Sequence, residues 1–258
     1  MSDSRPHPGD PRGSVSDIAK QVEAIGRENR LLFKRLLEGE RHFRGLARSV
    51  WQVQEEERRR LARELHDSIG QTLVGLIHQL ERLASRAADD ADSRLLEDVQ
   101  SLAHQALDET RELSRLLRPP VLDDLGLAAA LRWLVRTLGE RTGLKANLDF
   151  RLPDAELAPE QETLIFRLVQ EALSNVIKHA PGATAEVSVS RGAGSIELSI
   201  IDDGPGFEVD GVLRPAEASG SGLRGMRDRV ELFGGTMHIE AAPGEGTALT
   251  IGLPIENA

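Results

Sequence analysis

The feature that most constrains this chain is an apolar register over residues 16–53. Ile18, Val22, Ile25, Asn29, Leu32, Leu36, Gly39, Phe43, Leu46, Val50 and Val53 follow one another in steps of four and three. That alternation draws one seam along a helix. Sustained for about five heptads, it describes a coiled coil. Asn29 falls on an a-type position, where a buried amide sets a parallel, in-register dimer. Gly39 is a weak point on the seam. One amphipathic helix packed on a globular body would also carry such a stripe, but its length and regularity favour a dimeric coil.

The register then breaks. Continued from Val53, the seam would fall on Glu57, Arg60 and Glu64; the apolar residues stand instead at Leu61, Leu65, Ile69, Leu73, Leu76, Leu80 and Leu83. The offset equals four inserted residues, a stutter that locally unwinds a coil. It lies just before His66 and Asp67 in the stretch ARELHDSIGQ. A second amphipathic helix is predicted from about residue 93 to 117, with Leu95, Val99, Leu102, Ala106, Leu113 and Leu117 on one face. The polar segment ADDADS between the two supplies a turn and an N-cap. Neither helix of this αα-hairpin can bury its stripe alone, and two copies make a four-helix bundle. The coil and the hairpin thus lead separately to a homodimer.

Two prolines in RPPVLDDLGL, residues 118–127, stop the hairpin and stiffen the connection. Helical periodicity at 126–142 precedes an alternating strand at 145–152 and a long helix at about 159–179. Further strands are expected at 185–191, 194–202, 236–242 and 246–253, with a helix at 222–233. This mixture reads as an α/β sandwich. The domain plan is therefore a disordered lead-in over 1–15, a coiled-coil signalling helix over 16–53 and a helix hairpin over 54–118. A linker over 119–126 and an α/β domain over 127–258 complete it.

Composition removes several functions. The formal net charge is −10 and aromatic residues are 3% of the chain, so neither electrostatics nor stacking favours direct nucleic-acid binding. Cysteine is absent, which excludes disulfides, thiolate zinc sites and cysteine-held clusters. No apolar run is long enough to span a membrane and no apolar signal core opens the chain, so the expected compartment is the cytoplasm.

Three stretches of the C-terminal half carry polar groups in suggestive settings. In EALSNVIKHA, residues 171–180, Glu171, Asn175 and Lys178 share a helix face. A carboxylate, an amide oxygen and an ammonium aligned there could hold a hydrated Mg²⁺ and a phosphate chain; an ordinary solvated face has the same look. In IDDGPGF, residues 201–207, a strand ends in an acidic pair and spaced glycines. An aspartate there could accept from the exocyclic amine of adenine, while a plain turn would also explain it. In GSGLRGM, Gly220, Gly222 and Gly225 open a helix whose N-terminus could face phosphate. That glycine pattern is weak by itself and lacks the preceding strand of a dinucleotide fold.

Together and in this order, the three stretches resemble the N box and the two glycine boxes of the ATP-binding domain shared by histidine kinases, type II topoisomerases, a heat-shock chaperone family and mismatch-repair ATPases. The closing GEGTALTIGLP, residues 244–254, resembles that domain's threonine-bearing final strands. Upstream, the run from Glu55 to Gln71 resembles the phosphoacceptor box of histidine kinases that pair with nitrate-sensor-type response regulators, and LRPPVLDDLGL resembles their junction. The resemblance covers about residues 50–254.

It implies a homodimeric, two-component sensor histidine kinase. His66 would accept the γ-phosphoryl of ATP, with Asp67 taking a proton from the other ring nitrogen or stabilising the imidazolium. Neighbouring residues on an α-helix point about 100° apart, so direct contact of the pair depends on rotamers. Gln71, four residues beyond Asp67, would orient water for dephosphorylating the partner. Asn175 would hold Mg²⁺ with help from Glu171, and Lys178 and His179 would approach phosphate. Asp202 would read the adenine amine, with Gly204 and Gly206 allowing the approach and Thr247 joining that network. Gly220, Gly222, Leu223 and Gly225 would frame a lid formed by residues 208–220. The phosphoryl group would pass to an aspartate of a separate response regulator, one that binds DNA. A serine kinase of the same ATPase fold is the rival reading; it would not need the His–Asp box. His42, His78 and His104 are expected to be solvated.

Overall fold

The structure is a computed structural model that describes residues 11–85, 90–152, 157–209 and 221–255, the side chains of 11–27, 30, 90–92 and 221 excepted. Gly220, residues 210–219 of the expected lid, most of the lead-in and the turn at 86–89 lie outside these residues. The chain divides into two compact units, Met1–Ser49 and Val50–Ala258.

The first unit is helical, part of α1 (Pro11–Glu64), which already begins inside the stretch expected to be disordered. A proline suits a first helical position because its fixed φ is helical and its missing N–H has no partner to lose. Leu32, Leu36, Phe43 and Leu46 of the seam all stand exposed, as does Asn29. Ile18, Val22 and Ile25 fall where side chains are not described.

In the second unit, α1 runs into a π-helical turn (Leu65–Gly70) and then α2 (Gln71–Ala84). Its partner is α3 (Asp90–Leu117). Ile77 and Leu80 meet Ala103 and Leu107, while the Ser114 hydroxyl reaches Ala62, so the two arms run antiparallel. Only part of the stripe is buried by this pairing. Leu61, Ile69, Leu76 and Leu83 on one arm and Leu95, Leu102 and Leu113 on the other remain exposed.

The expected linker is itself helical. α4 (Pro120–Thr142) starts at the second proline and is broken at Gly126, whose φ of 77° no β-carbon-bearing residue adopts readily. It ends at Gly143 in the left-handed conformation. Five strands then form one mixed sheet: β1 (Lys145–Arg151), β2 (Thr184–Arg191), β3 (Ser195–Asp202), β4 (Thr236–Ala241) and β5 (Thr247–Pro254), in the order β1-β2-β3-β5-β4. Only β1–β2 is parallel; the other pairings are antiparallel. Alternate residues of β2 and β3, including Val187, Val189, Leu198 and Ile200, are buried, so one face carries the core and the other meets solvent.

The buried face is covered by α4, α5 (Pro159–His179) and α6 (Ser221–Leu232). α5 is well framed by its sequence. Pro159 opens it, Glu160 and Glu162 lie in its first turn, and Lys178 and His179 lie in its last. Leu164, Ile165, Phe166, Leu168, Val169 and Leu173 have no exposed surface. Trp51 of α1 belongs to this same core, its ring edge-on to Phe233 at 5.1 Å between centroids.

Candidate active site

Strand register assembles one end of the site. β3 ends at Asp202, which pairs across the sheet with Thr247 at the start of β5. Two residues far apart in sequence are thereby neighbours. The chain then turns sharply, with the Gly204 N–H donating to Asp202 Oδ1 at 2.9 Å. A β-carbon on Gly204 would strike the Ala180 methyl and the Asp202 carboxylate. Gly206 has a φ of 59°, and a β-carbon there would collide with the Ala242 carbonyl. Glycine is thus required by close backbone approach.

These elements enclose a cavity of about 360 Å³. Ala172, Asn175, Val176, His179 and Ala180 of α5 form one wall; Ile200, Asp202, Thr247 and Leu249 of the sheet form another. Pro205, Gly206, Phe207, Gly222 and Leu223 complete it. Its lining is mainly apolar, with Asn175, His179, Asp202 and Thr247 as the polar side chains, the usual character of a small-molecule site. At the α6 end, a β-carbon on Gly222 would meet Glu171 Oε1 at 2.6 Å and the Asn175 amide at 3.6 Å. Glu171, Asn175 and Gly222 therefore converge.

Other expected residues stand apart. Lys178 is exposed and does not line the cavity, and neither Gly204 nor Gly225 reaches it. Glu171 lines a second cavity, with Arg58, Arg141, Arg167 and Arg229. Burial pushes the Arg229 guanidinium down from its ordinary pKa, with Glu171 opposing that shift.

On the hairpin, His66 Nδ1 lies 3.1 Å from Asp67 Oδ1. The wider π turn rotates less per residue than an α turn, which helps neighbouring side chains meet. Both are about two-thirds exposed. They line a third cavity with Arg59, Arg63, Ser114, Arg118, Asp123 and Asp124. No residue lines both this cavity and the slot of the sheet domain. Gln71, at the start of α2, is exposed on the same arm. His42, His78 and His104 are exposed too; His78 faces Glu81 at 3.2 Å.

Sequence reasoning missed the contact that joins the hairpin to the sheet domain. Arg167, in the middle of the apolar run of α5, is only 5% exposed, and Glu55 of α1 only 6%. The guanidinium contacts both Glu55 oxygens, at 2.8 Å from Nη2 to Oε2. It also donates to the Leu116 and Leu117 carbonyls at the end of α3, which have no helical partner of their own. Gln170 donates to the Leu116 carbonyl as well. Arg58 adds a second cation at 2.8 Å from Glu55. Burial pushes the Arg167 pKa down, and the Glu55 hydrogen bond and charge oppose it. An arginine inside so apolar a helix is the sequence signal that a buried acid must exist somewhere.

Comparison with known proteins gives two family matches. Residues 57–122 match the family described as Histidine kinase, and residues 160–257 the family described as Histidine kinase-, DNA gyrase B-, and HSP90-like ATPase. The chain is 39% identical over 218 residues to the sensor histidine kinase MctS of Rhizobium johnstonii, covering 82% of this chain and 46% of that protein. It thus spans about half the length of the curated relative it matches. Among solved structures it is similar to the histidine kinase domain of the blue-light activated histidine kinase of Erythrobacter litoralis EL346. That likeness has 22% identity and a TM-score of 0.47, over 72% of this chain and 94% of that one. The Acinetobacter baumannii histidine kinase AdeS gives 15% identity and a TM-score of 0.43, over 72% and 97%. With one match on the helix hairpin and the other on the sheet domain, in the order the motifs take along the chain, this protein belongs to the two-component histidine kinases, in the branch with the nitrate-sensor-type phosphoacceptor box.

Proposed function

We propose that this chain is an ATP-dependent protein-histidine kinase that phosphorylates its own His66 and passes the phosphoryl group to an aspartate of a separate response regulator. The observation that carries this reading is the His66–Asp67 pair on an exposed turn of the hairpin. With Nδ1–H donating to Asp67, Nε2 keeps its lone pair on an exposed ring and serves as the nucleophile. A bond forms between Nε2 and the γ-phosphorus as the bond to the ADP oxygen breaks. The positive charge developing on the ring is stabilised by Asp67, which accepts the Nδ1 proton. Transfer of this kind depends on alignment and charge neutralisation rather than on further covalent chemistry.

The slot between α5 and the sheet takes ATP, with adenine against Asp202 and Thr247 and the phosphates toward Asn175 and Gly222. Asn175 and Glu171 offer oxygen donors fit for Mg²⁺, an ion that takes few protein ligands and keeps water and phosphate oxygens. It would neutralise phosphate charge. His179, which lines the slot, would approach phosphate; Lys178 and Gly225 lie outside its lining. Gln71 orients water when the regulator is dephosphorylated. The acceptor and the nucleotide slot have separate linings, and this reading has the sheet domain change its docking on the hairpin, or serve the hairpin of a second copy, before transfer. The exposed apolar faces of the hairpin and of α1 suit a homodimer built on a four-helix bundle and a coil. The reaction is placed in the cytoplasm, where ATP is at hand; no helix among the described residues is long and apolar enough to cross a membrane.

The test is incubation with Mg²⁺ and γ-labelled ATP. Acid-labile, alkali-stable label is expected on the wild type and absent from His66→Gln and Asn175→Ala. Label that persists in His66→Gln would sink the acceptor assignment and favour serine phosphorylation.

A further inference from the structure

The acceptor segment leaves α-helical geometry at the place where the chemistry is proposed. Leu65–Gly70 is a π-helical turn within otherwise α-helical chain. The apolar stripe here steps by four three times running, from Leu61 to Leu65, Ile69 and Leu73. At about 100° per residue, an α-helix would carry Leu73 roughly 120° out of line with Leu61. One residue taken up in a π turn reduces that to about 20°. The stripe accommodates the turn, but a wide turn in mid-helix still needs something to hold it.

Two hydroxyl groups bracket it. On the C-terminal side, Thr72 Oγ1 donates to the Ser68 carbonyl at 2.8 Å, and the Gln71 N–H turns to the same oxygen. This is the local back-bond that any helical threonine can make. On the N-terminal side the donor comes from the other arm. Ser114 Oγ, on α3 and 4% exposed, donates to the Ala62 carbonyl at 2.7 Å. Ala62 precedes His66 by four residues, so its carbonyl is the one an α-helical His66 N–H would use. Ser114 also lines the cavity in which His66 and Asp67 stand.

We propose that Ser114 is a positioning residue for phosphoryl transfer: by holding the Ala62 carbonyl from across the hairpin, it fixes the π-helical register on which His66 and Asp67 stand. Without that bond, the turn relaxes toward α geometry and the helical segments on its two sides rotate against one another by the equivalent of one residue, about 100°, which moves His66 relative to α3. The inference rests on the reading of His66 as the acceptor.

The full chain is compared as wild type, Ser114→Ala and the nearly isosteric Ser114→Cys, a weaker donor. Initial autophosphorylation rates are measured across ATP concentrations, and amide hydrogen exchange across the hairpin. Ser114→Ala is expected to lower the limiting rate about tenfold with the KM for ATP unchanged, since the nucleotide slot is untouched. Exchange should accelerate over residues 65–71 and not in α5, with Ser114→Cys intermediate in both. Wild-type rate and exchange in Ser114→Ala would overturn the proposal. A rate loss matched by a rise in KM, or by faster exchange throughout the unit, would overturn it too, because that is the mark of a merely structural role. A wild type that never labels His66, with exchange over 65–71 still quickened by Ser114→Ala, would leave the pinned turn standing. The positioning role would then fall together with the acceptor reading.

Discussion

Asp203, beside the residue assigned to adenine, ties the strand end that presents it. Its carboxylate accepts from the Thr184 backbone N–H and hydroxyl, each at 2.6 Å, and its own N–H donates to the Thr184 carbonyl. The Thr184 hydroxyl, then the Thr184 N–H, hold its pKa below the ordinary aspartate value. A depressed folded pKa adds stability that is full above the unfolded value of about 3.9 and is lost as pH falls through the lower folded value. Thr184→Val should therefore show a small Tm deficit at pH 6 to 7 that narrows below about pH 4; a deficit independent of pH would mean the hydroxyl acts only through packing. Residues at this scale are unevenly legible in the sequence. Motif order groups Asp202, Gly206, Gly222 and Thr247, and the fold brings these four to one cavity, whereas Gly204 and Gly225 of the same motifs do not line it. Asp203 looks like one half of a turn, since its partner lies 19 residues upstream. Helical angles leave the His66–Asp67 contact open, and the π turn closes it.

At the scale of elements, the Glu55–Arg167 pair decides how the hairpin meets the sheet domain. Both are buried, and Arg167 also satisfies carbonyls at the end of α3. Removing one partner of a buried pair costs about 3–5 kcal/mol, whereas replacing both with apolar residues costs much less; Glu55 would keep Arg58 at 2.8 Å and Arg118 at 4.0 Å, which sets the loss at the lower end of that range. Arg167→Met is thus expected to lower the unfolding free energy of this unit by about 3 kcal/mol or more in urea titration. Adding Glu55→Met should recover a measurable part. A single variant within about 0.5 kcal/mol of wild type would contradict the buried-pair description. Helices and strands themselves are plain in the periodicity, and their ends mostly agree with the structure. The exceptions have local causes. The two prolines read as a stop, yet Pro120 begins α4, because a first helical position suits proline. The stutter marks a disturbance before His66, while three steps of four, which read as an ordinary stripe, are the trace of the π turn.

At the scale of the whole molecule, a single chain leaves too much apolar surface uncovered. Leu61, Ile69, Leu76, Leu83, Leu95, Leu102 and Leu113 are exposed on the hairpin, and a fully buried leucine contributes about 1.5–3 kcal/mol. The double variant Leu76→Glu, Leu102→Glu should weaken the proposed homodimer at least a hundredfold, or about 3 kcal/mol, measured by light scattering across protein concentrations. An unchanged dimer would move the interface off this face. The sequence by itself determined what its periods and motifs can encode: a long helix with an apolar stripe, a helix hairpin, an α/β domain, and the residue types on which the proposed nucleotide slot and the proposed histidine acceptor rest. Those come from spacing along the chain, since a helix or strand repeats its faces within a few residues. Only the tertiary structure decided which distant residues meet. It set Asp202 opposite Thr247, buried Glu55 against Arg167 across 112 residues, and brought Ser114 to the carbonyl before His66. Such pairs depend on the packing of whole elements, and no local period records them.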